Sequence, residues 1–201
     1  GYGVVEFRNG EYTGLYDDTN TGGALNSIYP GHPYLRIGGL AFDSKNNLWV
    51  TNSSVPSPVA VLKTDGTWKN FAYGQYLGDA FTGQMVITPG DIKWIQLPKG
   101  NGLFVFENGK DIDDTSDDRF LRLQLRVLFP NENVKIINDI YSIAVDLDGK
   151  LWIGTSNGVV VYYLPSRVFS DYDFYATQPS VDQGDSLYHG LLGTEIVTAI
   201  A

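Results

Sequence analysis

The chain alternates short apolar runs with tight polar turns, and this pattern is clearest at residues 140–163. Three apolar runs of strand length are separated there by the turns Asp146-Leu-Asp-Gly149 and Ser156-Asn-Gly158. Asp-Gly and Asn-Gly favour hairpin turns because these residues tolerate positive φ. The stretch therefore predicts three antiparallel strands.

The same pattern recurs at residues 35–62 and, with more variation, at residues 84–107. A tryptophan marks the same position in each copy. Trp49 and Trp94 are 45 residues apart, and Trp94 and Trp152 are 58 residues apart. A four-stranded propeller blade spans about 40–50 residues, so these spacings predict blades with loop insertions.

Both ends of the chain match part of the repeat. The first seven residues resemble its third run, and the last seven resemble its first run. We therefore expect a segment of a longer propeller protein, and we put forward the hypothesis that the two ends pair. The predicted organisation is a partial blade at 1–22, blades at 35–73, 84–129 and 139–176, and the first strand of a next blade at 195–201.

The polarity of the runs predicts where each strand lies. The runs 103–106 and 159–163 are apolar throughout, as in a strand that is covered on both faces. Residues 119–129 alternate, with leucines against Arg122 and its polar neighbours, which predicts a half-exposed strand. With 23 glycines and 13% aromatic residues, the fold class predicted is all-β: a β-propeller segment of four-stranded antiparallel blades.

Charge and cysteine content remove several function classes. The net charge of −9 argues against nucleic acid, whose phosphates need clustered Lys and Arg. The one basic cluster, at Arg119, Arg122 and Arg126, is interpreted as a solvated strand face. The absence of cysteine excludes disulfides, thiol catalysis and Cys-ligated zinc. No apolar run approaches the roughly 18 residues of a membrane span.

One loop concentrates carboxylates and is the candidate metal site. Hard cations such as Ca²⁺ take six to eight oxygen ligands, which closely spaced aspartates and loop carbonyls can supply. The loop departs from the EF-hand pattern, and the alternative is a solvated hairpin tip where Asp forms turns. The candidate calcium ligands are Asp111, Asp113, Asp114, Asp117 and Asp118.

Other chemistry-bearing residues are sparse, and we predict no catalytic residues. The carboxylate pairs Asp17/Asp18 and Asp171/Asp173 lie in outer strands or loops. The two histidines, His32 and His189, lie in loops without a hydrolase motif. Exposed aromatic rings could stack on sugars or anchor a protein interface, although many could instead pack between blades. The loop aromatics are Tyr29, Tyr34, Tyr73, Tyr76, Phe81, Tyr172, Phe174, Tyr175 and Tyr188.

The repeat, with an Asp-containing turn followed by Leu-Trp and a small residue, resembles the two-component regulator propeller repeat. That repeat builds periplasmic sensors of hybrid histidine kinases in Bacteroidota. The combination of segments is also similar to the PorZ-type propeller proteins of the type IX secretion system. The segments that carry this resemblance are 36–52, 65–71, 101–109, 113–120 and 191–201.

The resemblance implies a non-enzymatic propeller in the periplasm or at the outer cell surface of a Gram-negative bacterium. Its implied partners are secretion-machinery or cargo proteins, other domains of the full-length protein, and surface glycan or glycolipid. Two further classes stay open: a sensor that detects a glycan, and a Ca²⁺-dependent propeller enzyme. The enzyme would need acidic and histidine residues converging on the axis, where the inner strands carry mainly small and apolar residues.

Overall fold

The computed structural model describes residues 1–129, 133–182, 184 and 188–200. The chain divides into two compact units, Gly1–Met85 and Val86–Ala201, and each is described by itself. The predicted all-β class is confirmed, because strands joined by turns and loops dominate both units.

The first unit contains a two-stranded and a four-stranded antiparallel sheet. The short sheet lies within the range predicted for the partial blade, and the strands of the longer sheet lie within 35–73 in chain order. The strands are β1 (Val4–Arg8), β2 (Glu11–Tyr16), β3 (Ile37–Phe42), β4 (Leu48–Asn52), β5 (Val59–Leu62) and β6 (Trp68–Phe71), followed by the 3-10 turn Gly74–Tyr76.

The small residues of β3 are required by close backbone approach. A Cβ on Gly39 would lie 2.4 Å from the backbone nitrogen of Met85, and one on Gly38 would lie 2.5 Å from the carbonyl oxygen of Thr82. The sequence places glycines at both positions, so the chain at 82–85 can run against the inner strand. The first strand of this sheet is therefore crowded by the chain at 82–85.

One face of the four-stranded sheet packs in the core of the first unit. Val50 on β4 and Ala60 on β5 are fully buried there, together with Val4 on β1 and Leu25 and Leu35 from the following loop. Burial of such side chains contributes roughly 1.5–3 kcal/mol each, so this cluster anchors the β1–β2 hairpin to the sheet.

The second unit contains a four-stranded sheet within 84–129 and a six-stranded sheet, which combines four strands from 140–177 with two from 126–136. The first of these sheets consists of β7 to β10, and the second is built around β13 to β16. The strands are β7 (Met85–Thr88), β8 (Ile92–Gln96), β9 (Leu103–Glu107), β10 (Arg119–Leu123), β11 (Arg126–Leu128), β12 (Val134–Ile136), β13 (Ile140–Val145), β14 (Leu151–Thr155), β15 (Gly158–Tyr162), β16 (Ala176–Thr177), β17 (Ser180–Val181) and β18 (His189–Gly190), with the 3-10 turn Pro165–Phe169 between β15 and β16.

The single strand predicted at 119–129 is wrong in one respect. It is two strands: β10 closes its own sheet, whereas β11 leaves it and joins β12 and β16 in the next sheet. The alternation itself is confirmed, because Leu125 and Val127 are fully buried while Arg122 is exposed. The pattern specified which face is buried and did not specify which sheet provides the burial.

The core of the second unit lies between the β7–β10 sheet and the β13–β16 sheet. Trp94 on β8 is fully buried there and packs with Ile143, Val160 and Tyr162 from the neighbouring sheet. Trp94 thus lies between the two adjacent sheets.

The predicted strand at 195–201 is not seen in the residues described, since 195–200 carry no strand assignment and Ala201 lies outside the described residues. This segment contacts the turn between β14 and β15, where Gly158 N donates to Glu195 O and Val197 N to Thr155 O. The two chain ends belong to different units, so the hypothesis that they pair stays a prediction. In the same described ranges, no helix has the length and apolar character needed to cross a membrane.

Candidate functional site

The repeated Asp turns serve the fold. Asp146 Oδ1 accepts the backbone amides of Asp148 and Lys150 at 3.0 and 2.9 Å, and its Oδ2 accepts the indole N–H of Trp152 at 2.8 Å. The Trp152 hydrogen bond, assisted by those amides and opposed by partial desolvation, holds the pKa of Asp146 below its usual value. This carboxylate orients the repeat tryptophan, and both of its oxygens accept hydrogen bonds from the fold itself.

A pocket in the second unit is the main departure from the repeat. It follows β15, where the chain turns through Pro165–Phe169 and returns along 171–175. The volume of the pocket is about 170 Å³. Its lining consists of Tyr162, Tyr163, Leu164, Arg167, Asp171, Asp173, Phe174 and Tyr175.

Stacked aromatic rings form the base of this pocket. The ring centroids of Tyr162 and Phe174 lie 4.4 Å apart with nearly parallel planes, and Trp94 lies 5.8 Å from Tyr162. The Tyr162 hydroxyl is buried with no hydrogen-bond partner, and burial raises the pKa of this phenol. A buried hydroxyl left unpaired costs roughly 1–3 kcal/mol, so the stacked rings hold a polar group beneath the pocket at a cost in stability.

Charged side chains form the rim. The Tyr175 hydroxyl donates to Asp173 Oδ1 at 2.8 Å and accepts from Arg126 Nη2 at 2.8 Å. The hydrogen bond to Asp173, with some desolvation, raises the pKa of Tyr175. Arg167 Nη1 lies 3.6 Å from Asp171 Oδ2. Rings beside paired donors and acceptors suit a polar ligand with a flat apolar face, such as a sugar.

Sequence reasoning found part of this pocket. It singled out Asp171, Asp173 and two of the aromatic residues, Phe174 and Tyr175, and the structure brings them together. It missed Tyr162, Tyr163 and Arg167, which were assigned to a strand or left out. The available signal was a Tyr pair at the end of an apolar strand, followed by Leu-Pro, which ends the strand and turns the chain.

The acidic loop joins β9 to β10, and its carboxylates bind the loop's own backbone. Asp111 Oδ1 accepts the amide of Asp113, Asp114 Oδ1 accepts that of Ser116, both at 2.9 Å, and Asp117 Oδ2 accepts that of Lys110 at 3.3 Å. Among the residues that the structure describes, no three His, Asp or Glu side chains form a group able to hold a metal ion. The calcium assignment, which also includes Asp118, stays a prediction.

Of the remaining candidates, Arg126 contacts a residue of the pocket, and the two histidines are not among the lining residues. His32 is in an exposed loop of the first unit, whereas His189 is in β18 of the second. Asp17 accepts the amide and hydroxyl of Thr19 and caps a turn. Of the basic cluster, Arg119 pairs with Glu107, while Arg126 contacts Tyr175.

Three of the other loop aromatics contact neighbouring rings. Tyr29 and Tyr34 have ring centroids 5.8 Å apart, and Tyr73 stacks on Phe71 at the same distance. Tyr172, beside the pocket, is 95% exposed. Within the second unit, the pocket region is therefore where the predicted aromatic residues converge with charged groups.

Comparison with known proteins agrees with this architecture. The family model described as two component regulator propeller matches residues 136–157, which cover β13, the Asp turn and β14. Among curated protein sequences, none matches the chain significantly.

A solved structure covers nearly the whole chain. It is that of PorZ, described as an essential bacterial surface component of the type-IX secretion system of Porphyromonas gingivalis. The match has a TM-score of 0.81 and 26% identity over 98% of this chain and 27% of that one. The extracellular domain of a putative hybrid two component system from B. thetaiotaomicron matches with a TM-score of 0.45 and 19% identity, over 75% of this chain and 17% of that one. The chain thus spans about a quarter or less of the length of these relatives.

Proposed function

We propose that this chain is a non-enzymatic β-propeller binding module that serves type IX protein secretion. The observation that carries the proposal is the similarity to PorZ, which extends over almost every residue and both units. The proposed location is the periplasm or outer surface of a Gram-negative bacterium. The proposed partners are secretion-machinery or cargo proteins and further domains of a longer protein.

The side chains described support a binding role over catalysis. Asp171 and Asp173 are engaged by Arg167 and Tyr175, so neither is an isolated acid or base. General acid–base catalysis needs a group positioned to exchange a proton with a substrate. The exposed aromatic and charged groups of the 162–175 pocket are typical of recognition surfaces.

A segment exchange tests the secretion role. The matching quarter of P. gingivalis PorZ is replaced by this chain, and the amount of type IX cargo at the cell surface is measured. We expect secretion to be retained at a level well above that of a strain lacking PorZ, since the exchanged segment keeps the same sheets and core.

The control is a chimera in which Trp94→Asp destroys the core of the second unit, which should abolish secretion because burying an unpaired charge destabilises the fold by several kcal/mol. Surface labelling reports how much chimera is exported. An exported, protease-resistant wild-type chimera that secretes no cargo would exclude the proposed role.

A second candidate is a sensor domain that detects a glycan. The matched two component regulator propeller repeat and the 162–175 pocket favour this candidate. The pocket combines rings that can stack on the apolar face of a sugar with carboxylate and guanidinium groups that can bind its hydroxyls.

Titration with bacterial surface polysaccharide fragments, followed by NMR, tests the sensor candidate. We expect saturable shifts of the amides of 163–175. Tyr163→Ala, which removes a half-exposed ring, should weaken binding at least about tenfold. Tyr29→Ala is the matched control, since its ring is similarly exposed in the first unit. The absence of amide shifts in the wild type would exclude glycan recognition at this pocket. So would an equal loss of affinity in the Tyr163→Ala and Tyr29→Ala variants.

A further inference from the structure

Three loops of the first unit leave the same end of the β3–β6 sheet. Ile37, where β3 begins, pairs with Asn52, where β4 ends, and the register of β5 and β6 places the start of β5 and the end of β6 beside them. Strand direction therefore brings the loop before β3, the loop from β4 to β5 and the loop after β6 to one surface. These loops are 17–36, 53–58 and 72–84.

This surface carries little charge. The chain contains 14 Lys and Arg and 23 Asp and Glu, yet in these three loops only Asp17, Asp18, Arg36 and Asp79 are charged. The first three stand where the 17–36 loop meets its strands. The centre of a protein interface is typically depleted of charged residues and enriched in tyrosine. The composition of the loops therefore suits an uncharged partner.

The 17–36 loop presents an aromatic segment, Tyr29–Tyr34, in which every residue is exposed. Tyr29 is 56% exposed and Tyr34 is 42% exposed, and their ring centroids lie 5.8 Å apart with planes inclined at 44°. Neither hydroxyl forms a hydrogen bond with the residues that the structure describes. Each side chain thus offers solvent both an apolar ring and a hydroxyl donor.

Hydrogen bonds within the loop hold the two rings in place before a ligand binds. Ser27 Oγ accepts the amides of Tyr29 and Tyr34 at 3.2 and 3.1 Å, and it donates to Tyr29 O at 3.0 Å. In the main chain, Ile28 N donates to Tyr34 O at 3.1 Å, and Tyr34 N donates to His32 O at 2.8 Å. A loop that is already ordered loses less conformational entropy when it binds.

The known modes of peptide recognition make different demands on a surface. Strand addition needs an open strand edge, and recognition of phosphate or acidic motifs needs clustered arginines. The three loops lie wholly within the described residues and contain neither a strand nor an arginine cluster. An amphipathic helix needs an apolar groove, whereas the aliphatic side chains Leu25, Leu35, Val55 and Leu77 are at most 1% exposed.

A polyproline II segment makes the demands that this loop meets. Its backbone has no internal hydrogen bonds, so its carbonyl oxygens accept bonds from hydroxyl donors. Its proline rings pack on exposed aromatic rings, and it carries no charge that the surface would have to balance. Tyr29 and Tyr34 provide both kinds of contact.

A sugar is the competing ligand for exposed rings. Sugar sites add carboxylate, amide or guanidinium groups that bind the hydroxyls directionally. In the 17–36 loop the amides bind the loop itself, since Asn20 Nδ2 donates to Leu15 O and Asn26 Nδ2 to Gly23 O. The Arg36 guanidinium lies over the Tyr34 ring, 5.7 Å from its centroid. The loop therefore favours a peptide over a sugar.

We propose that the 29–34 segment binds an uncharged, proline-rich stretch of a protein in the polyproline II conformation. Such a stretch is extended before it binds, so both partners lose little conformational entropy. The site uses residues of the first unit alone. It is therefore independent of the 162–175 pocket and of the secretion role.

Titration of the whole chain with a polyproline peptide of about ten residues, followed by NMR, tests the proposal. We expect saturable shifts of the amides of 27–36. Tyr29→Ala and Tyr34→Ala should each weaken binding at least about tenfold, because exposed tyrosines act as hot spots. Between about 0.05 and 0.5 M salt, Kd should change less than about twofold, because no charged pair forms.

Two controls accompany the titration. Tyr172→Ala removes a ring that is 95% exposed in the second unit, and it should leave Kd unchanged. A Gly-Ser peptide of the same length should cause no shifts. The absence of shifts with polyproline would overturn the proposal, as would an equal loss of affinity in Tyr172→Ala. A neutral oligosaccharide that shifts the 27–36 amides where polyproline does not would identify a sugar site instead.

Discussion

A single side chain, Asp43, shows how the repeat uses a carboxylate. Its Oδ1 accepts the backbone amides of Lys45 and Asn47, while its Oδ2 accepts the Asn47 amide group and the Trp49 indole. Burial alone would raise the pKa of Asp43, but these hydrogen bonds outweigh it and lower the pKa. The carboxylate connects the turn to the buried tryptophan.

We predict that Asp43→Asn destabilises the chain by about 1–3 kcal/mol, because one amide nitrogen must then face hydrogen-bond donors. A lowered folded-state pKa stabilises the protein above the unfolded-state pKa of about 4, and this stability is lost as the pH falls through the folded-state value. The variant should therefore lose less stability than the wild type between about pH 4 and pH 2. Urea unfolding across this pH range measures both effects.

Asp65→Asn is the matched control for this substitution. Asp65 also caps a turn, through the amide and hydroxyl of Thr67, but it is exposed and contacts no tryptophan. Its replacement should have little effect on the urea midpoint at neutral pH. Equal destabilisation by the two substitutions would show that the turn, and not the indole contact, accounts for the loss.

The turn positions of these residues could be predicted from sequence, whereas the indole contact could not. An Asp that opens a polar run specifies a turn locally, as in Asp43-Ser-Lys-Asn46 and Asp65-Gly66. Which oxygen reaches the tryptophan depends on the twist of the hairpin and on packing against the next sheet. At the second repeat Thr88 supplies the acceptor, at 3.1 Å from the Trp94 indole nitrogen, so residue type alone does not reveal the role.

Among the elements, the acidic loop between β9 and β10 has two competing interpretations, and calorimetric titration with Ca²⁺ separates them. One oxygen each of Asp111, Asp114 and Asp117 accepts a backbone amide of the loop, and the residues that the structure describes include no group of carboxylates arranged to hold a metal ion. We therefore expect Asp114→Asn/Asp117→Asn to give the same heats as the wild type. Heat present in the wild type and lost in the variant would establish a calcium site.

The control for that titration is Asp17→Asn/Asp18→Asn, which removes an equal number of charges from another loop. If Ca²⁺ only screens the net charge of −9, the two double variants should change the heat of titration equally. Only a loss confined to the Asp114/Asp117 variant would locate an ion in the β9–β10 loop.

Elements within the repeat could be predicted because their hydrophobic period is local. The strands of the blade at 35–73 occur at the expected positions and in the expected order. The exchange of β11 into the neighbouring sheet could not be predicted, because alternation at 119–129 is compatible with either sheet. The break between the two strands falls at Gln124 and Leu125, and neither is a residue type that favours turns.

For the molecule as a whole, the repeat could be predicted and the pocket could not. Repeats impose one geometry on several segments, so each copy supports the assignment of the others. The 162–175 pocket forms where the loop after β15 folds back along 171–175. Tyr162 lines the pocket because one side of its ring faces that loop. Such long-range placement leaves no periodic signal in the sequence.

The parallel pairing of β11 with β16 has a consequence for synthesis. Val127 lies opposite Ala176, so 49 residues separate the partners. The β11–β12 hairpin emerges from the ribosome first, with Val134 and Ile136 exposed even in the finished fold. At about 5–20 residues per second, its docking strand follows only after several seconds. During that interval the nascent chain exposes an unpaired, partly apolar strand edge. A chaperone that binds such edges would act at this stage of synthesis.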